Sequence, residues 1–267
     1  MTDLVHSPAL TELSAAETRL AGVLARPKWI ALGCIAALTA CGWLALGFLA
    51  AQAGGFAALC RPLHGGGFGE FALALPIWTA MTLAMMLPTA GPMILTYAEI
   101  ADTAARKRET VVSPLVLAAG YVAVWLGFAI VATTLQIVLP SGYLAADPAG
   151  ALISGALFVA AGLYQFSPLK RSCLTMCQRP FPFFFANWTT ETTGVFRLGL
   201  RQGGYCLGCC AAMMLLMFAT GVMNVIWMAM LGIVMTIEKL STTTRFTHVV
   251  GVVLVGIGVG FIGSGLL

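Results

Sequence analysis

Five of the eight cysteines fall in two tight groups. Cys173 and Cys177 form a C-x-x-x-C pair, and Cys206, Cys209 and Cys210 form C-x-x-C-C. On a helix, residues at i, i+3 and i+4 share a face, so each group can present its sulfurs in one direction. Converging thiolates are what Zn2+, Cu+ and iron–sulfur clusters bind. The spacing is neither the paired C-x-x-C of a zinc ribbon nor a ferredoxin run, so it does not name the metal. Lys170, Arg171, Arg179, Arg197 and Arg201 flank the two groups and would offset an anionic thiolate centre. The same residues also read as charges that set membrane orientation. Cys34 and Cys41 are seven apart in an apolar run and read as small packing residues, while Cys60 has no obvious partner.

Methionine offers a second soft ligand. Met81, Met85 and Met86 lie together, as do Met213, Met214 and Met217, and an M-x-x-x-M step occurs in both sets. Such steps resemble those of copper-uptake channels, and thioethers select Cu+ over Zn2+. Methionine is also an ordinary filler of helix contacts, and both readings stay open. Met223 and Asn224 sit at a predicted turn, and Glu238 sits at the end of an apolar run beside Lys239. An ionisable group at membrane depth is a candidate for function, and Glu238 with Lys239 equally suits an interfacial ion pair. His6, His64 and His248 are isolated, without ligand spacing. No nucleophile triad, phosphate loop or carboxylate dyad is visible, so the sequence does not read as an enzyme or an ATP-driven pump. No basic stripe for nucleic acid stands outside the short loops.

The elements that carry these residues are apolar almost end to end. Of 267 residues, 60% are hydrophobic and 9% charged, with a mean hydropathy of +0.94. A soluble domain carries about 25% charged residues. The composition therefore predicts an all-α bundle of membrane helices and no soluble catalytic domain. Residues 1–28 are polar and read as a cytoplasmic lead-in. Seven spans are predicted, at about 29–51, 71–98, 115–139, 150–166, 203–220, 222–238 and 249–267. The first is about 35 Å long at 1.5 Å per residue, too long for a signal-peptide core. In the second, Pro88, Gly91 and Pro92 predict a broken or kinked helix whose freed carbonyls need a partner.

Residues 167–202 are polar, with Ser167-Pro168 as a helix start and Phe181, Phe183, Phe184, Phe185 and Trp188 suited to the headgroup interface. With the N-terminus in the cytoplasm and the C-terminus outside, thirteen of the fourteen basic residues lie on the inner side; only Arg61 does not. Both cysteine groups then face the reducing compartment, where structural disulfides are disfavoured and metal binding is favoured.

Several motifs in order complete the picture: Met85-Met86-Leu87-Pro88 with Pro92-Met93, then Tyr164-Gln165-Phe166-Ser167-Pro168-Leu169-Lys170 leading to Cys173 and Cys177. Cys206-Leu207-Gly208-Cys209-Cys210, Met213, Met223-Asn224, Trp227-Met228 and Glu238-Lys239 follow. Over about residues 75–240 this arrangement resembles a bacterial family described as predicted metal-binding integral membrane proteins. The resemblance implies a multi-pass protein of the bacterial inner membrane with a metal site at the cysteines, and no established reaction. The expected function is to bind, traffic or transport a soft transition metal, Cu+ ahead of Zn2+, in concert with a delivering protein or a membrane complex. A thiol–disulfide oxidoreductase, or an assembly subunit with structural zinc, is the alternative.

Overall fold

The computed structural model describes residues 27–52, 68–138, 148–220, 225–241 and 243–266. The lead-in, Cys60, His6, His64, Met223 and Asn224 lie outside the described residues. Every regular element among those described is helical: α1 (Pro27–Gln52), α2 (Phe68–Arg106), α3 (Pro114–Val138), α4 (Pro148–Tyr164), α5 (Pro168–Gln178), α6 (Pro180–Ala186), α7 (Thr192–Thr220), α8 (Val225–Leu240) and α9 (Thr244–Leu266). Five of them, α1, α2, α3, α7 and α9, are long and apolar enough to cross a membrane. A sixth is added if α4 and α5, bent by 63° at their junction, count as one broken span. The segment expected at 222–238 forms α8, which is 16 residues long.

The helices are apolar on the outside as well as in the core. Leu44, Phe48, Val131, Val138, Ile233 and Val252 all point outward. A helix that is hydrophobic all round needs an apolar environment on every side. α7 occupies the centre and packs against α3, α4, α5 and α8, while α2 packs against α1, α3, α6 and α8. Glycines set the closest of these approaches. A Cβ on Gly120 of α3 would strike the carbonyl oxygen of Phe196 in α7, and would lie 3.0 Å from the Leu200 nitrogen and 3.1 Å from the Gly199 Cα. Only hydrogen side chains let two backbones meet so closely.

Two local regions take a definite form. α2 runs unbroken for 39 residues through Pro76, Pro88 and Pro92. A proline removes one intrahelical hydrogen bond, that to the carbonyl four residues earlier, and most of the stretch around Pro88 is buried. In the same stretch the Met86 carbonyl accepts from Thr89 Oγ1 at 2.8 Å and from the Tyr121 hydroxyl of α3 at 3.1 Å. The polar stretch 167–202 forms α5, α6 and the first part of α7. Ser167 caps α5 by accepting from the Lys170 amide at 3.1 Å, with Pro168 at the first helical position.

The aromatic run of α6 divides its residues. Phe181 and Phe185 are exposed, but Phe184 is fully buried against Tyr97, at 5.5 Å between ring centroids. An aromatic-rich helix follows amphipathic spacing like any other, so only one of its faces remains for an interface. α5 in turn closes the end of α8: Gln178 Nε2 donates to the carbonyls of Glu238 at 2.8 Å and Ser241 at 2.6 Å. The last carbonyls of a helix have no partner within it, and this side chain supplies one from outside.

Candidate metal centre

α7 starts at Thr192, so the C-x-x-C-C sequence lies near the middle of that helix and not at its start. The i, i+3, i+4 spacing puts Cys206, Cys209 and Cys210 on the buried face, each 1–2% exposed. Their three sulfurs all lie within 4.8 Å of one another. Cys209 and Cys210 Sγ are 3.3 Å apart, and the Cys209 thiol reaches back to the Cys206 carbonyl at 3.2 Å. A thiol bonded to a carbonyl about one turn earlier favours one rotamer for Cys209.

The C-x-x-x-C pair arrives from the side. α5 packs on α7, and Cys177 Sγ comes to 4.0 Å from Cys209 Sγ. Cys173 sits above Gly208: a Cβ at that glycine would lie 2.6 Å from the Cys173 sulfur. The Gly208 carbonyl meanwhile accepts from the Tyr164 hydroxyl at 2.6 Å. Of the five cysteines read as ligands, three thus form a compact buried group, Cys177 touches it, and Cys173 packs beside it. Cys173 and Cys177 are half-buried, so the cluster runs from a buried centre toward the surface.

The charge beside the thiols comes from a residue that the sequence offered only as an ion-pair partner for Glu238. Lys239 Nζ donates to Cys206 Sγ at 2.9 Å and to Thr89 Oγ1 at 2.6 Å, and the lysine is 8% exposed. The Tyr121 hydroxyl lies 3.0 Å from the same sulfur. Cys206 is therefore gripped from α3 and α8 at once, with Thr89 of α2 holding the lysine. Arg171, Arg179, Arg197 and Arg201, expected to flank the centre, are exposed on the outside. Arg201 donates to Asn187 Oδ1 at 3.2 Å.

Glu238 does not pair with its neighbour Lys239. Its carboxylate forms a buried ion pair with Lys170 at 2.8 Å, the two side chains being 2% and 1% exposed. Adjacent residues on a helix point about 100° apart, so Glu238 faces α5 while Lys239 faces the thiols. The signal available in the sequence was a lysine at the end of an apolar run, a side chain that is rarely buried without an anionic partner.

The methionines of the two M-x-x-x-M steps lie in the core. Met81, Met85, Met213 and Met217 are at most 2% exposed. Met85 lies over Gly232 of α8, whose Cβ position is 3.7 Å from the methionine Cε. Met213 Sδ accepts from Lys170 Nζ at 3.9 Å, a cationic neighbour rather than an open coordination site. The packing reading accounts for these contacts. His248 stacks on Phe166 at 5.4 Å.

Three soft, buried thiols with a fourth at hand, one cation in contact and no carboxylate among the three sulfurs make a donor set for a soft metal ion. No curated protein and no solved structure matches the chain. A family model described as PpoB2, copper chaperone, matches residues 75–261, a range that holds both cysteine groups and Lys239 and reaches into α9, beyond the 75–240 of the resemblance. The chain belongs to this copper chaperone family.

Proposed function

We propose that the chain is a multi-pass protein of the bacterial inner membrane that holds Cu+ at Cys206, Cys209 and Cys210 and passes it on through Cys177 and Cys173. One observation carries the reading: three buried sulfurs lie within 4.8 Å of each other on a single helix face. The family description supplies copper, and thiolate donors favour Cu+ over harder ions. The half-buried α5 pair provides a route by which an incoming or outgoing protein can exchange ligands one sulfur at a time. In this reading the protein is not an enzyme. Its N-terminus is cytoplasmic and its C-terminus outside, as the distribution of basic residues requires. Copper is its cargo, and any movement across the bilayer is passive or gradient-driven.

The test is metal content after purification in detergent under anaerobic, reducing conditions. Wild-type protein retains about one Cu+ per chain after desalting, and C206S/C209S/C210S retains almost none. Full retention in that variant removes the assignment of these cysteines. A second reading, thiol–disulfide exchange, draws on the 4.0 Å between Cys177 and Cys209. Treatment with oxidised glutathione followed by alkylation decides it: a defined Cys177–Cys209 disulfide that restores to thiol with reductant favours exchange.

A further inference from the structure

Two lysines are buried in this fold, and their surroundings differ. Lys170 has a carboxylate 2.8 Å away, so its charge is cancelled locally. Lys239 has none: among the described residues no carboxylate lies within 4.0 Å of it, and its hydrogen-bond acceptors are the Thr89 hydroxyl and the Cys206 sulfur. A buried ammonium that meets no carboxylate requires an anion from elsewhere. Among the described residues, the groups around it able to become anionic are the Tyr121 hydroxyl and the thiols. The thiols do so when they bind a metal.

We propose that Lys239 is the specificity-determining residue of the thiol centre, a fixed positive charge that makes the site prefer a monovalent soft ion over a divalent one. This rests on the reading of Cys206, Cys209 and Cys210 as copper ligands. Charge counting gives the direction. Three thiolates with Cu+ sum to two negative charges, and the same three with Zn2+ sum to one. If Cys177 joins as a fourth ligand, the sums become three and two. In both cases the Cu+ centre carries one more negative charge, and an ammonium touching a ligand sulfur stabilises it more. A unit of charge a few ångströms away, in surroundings that screen poorly, is worth at least about a factor of ten in relative affinity.

Lys239 is also held in place for this task. Thr89 lies in the proline-rich stretch of α2 and binds the Nζ at 2.6 Å, while its own hydroxyl donates to the Met86 carbonyl. That carbonyl in turn accepts from Tyr121, which touches Cys206. The cation, the hydroxyl and the sulfur form one closed network across four helices. A lysine in such a network cannot swing toward water when a divalent ion enters, so the mismatch stays with the ion.

The experiment compares Cu+ and Zn2+ affinities of the full chain in detergent, each by competition with a chromogenic chelator, under reducing conditions. K239M lowers Cu+ affinity at least about tenfold more than Zn2+ affinity, and K239R keeps the wild-type ratio. The ratio separates this role from a structural one, because damaged packing lowers both affinities together. K239Q keeps a donor for Thr89 without the charge, and it is read in place of K239M if that variant is recovered unfolded by circular dichroism. An unchanged Cu+ to Zn2+ ratio in the neutral variants overturns the proposal. Failure of the underlying reading looks different: wild-type protein would bind no Cu+, or C206S/C209S/C210S would still bind it.

Discussion

The contact between α5 and α8 and the contact between α7 and α8 both rest on charges, and those charges come from neighbouring residues, Glu238 and Lys239. On the α5 side, Lys170 and Glu238 complete each other at 2.8 Å in the buried interior, and Gln178 ties down the backbone beside them. On the α7 side, Lys239 meets a sulfur at 2.9 Å and a hydroxyl, and the balancing anion is left to the thiols. The first contact is electrostatically closed as folded and serves to hold α5, with its two cysteines, against the bundle. The second is closed only when the thiols are anionic. Two adjacent residues of α8, about 100° apart around its axis, thus serve a closed structural pair on one side and face the thiols on the other.

Removing half of the closed pair breaks the comparison most strongly. K170M leaves the Glu238 carboxylate buried and alone, and one of its oxygens, Oε1, already lacks a hydrogen-bond partner. A loss of about 3–5 kcal/mol in unfolding free energy is expected in detergent-solubilised protein. K170M/E238L, which removes both charges, recovers most of it. A next, smaller effect comes from the contact between α3 and α7, which brings Tyr121 to Cys206. G120A forces α3 away from α7, because its Cβ meets backbone atoms of Phe196, Gly199 and Leu200 that have no flexible end to move. Overpacking of this kind costs about 1–3 kcal/mol. It also loosens Tyr121 from Cys206, so Cu+ affinity falls while cross-linking between residues 178 and 241 is unaffected.

The smallest effect sharpens the contrast. K239M in the metal-free protein changes stability by about 1 kcal/mol or less, since it leaves a neutral thiol and a hydroxyl behind and strands no buried charge. Thermal unfolding of K170M and K239M side by side is the direct measurement. Equal losses in the two variants would show that Lys239 belongs to the structural class.

Much of the architecture was legible without coordinates. The apolar runs, the Ser167-Pro168 helix start and the shared face of Cys206, Cys209 and Cys210 all follow from local periodicity and capping, which are properties of a few consecutive residues. The extent of the helices was less legible. α2 passes through its prolines, and α7 begins eleven residues ahead of the predicted start at 203, a difference read directly from Thr192. Tertiary neighbours stabilise helical segments whose own composition argues against them. The methionine steps were ambiguous for a related reason: the M-x-x-x-M spacing places two sulfurs on a face whether that face meets metal or packing.

By itself the sequence determined the material of this protein: an all-helical apolar chain with two clusters of soft ligands that spacing can aim in common directions. Which cation meets the sulfurs was beyond it. The exposed arginines were the natural candidates, and the structure puts Lys239 there instead, with its neighbour Glu238 turned to Lys170. The approach of Cys177 to Cys209 and the gripping of Cys206 by Tyr121 likewise link residues 32 and 85 positions apart. Such pairings depend on how far each helix is rotated about its axis and how closely glycines let the axes approach. Those quantities belong to the packed bundle and not to any one segment.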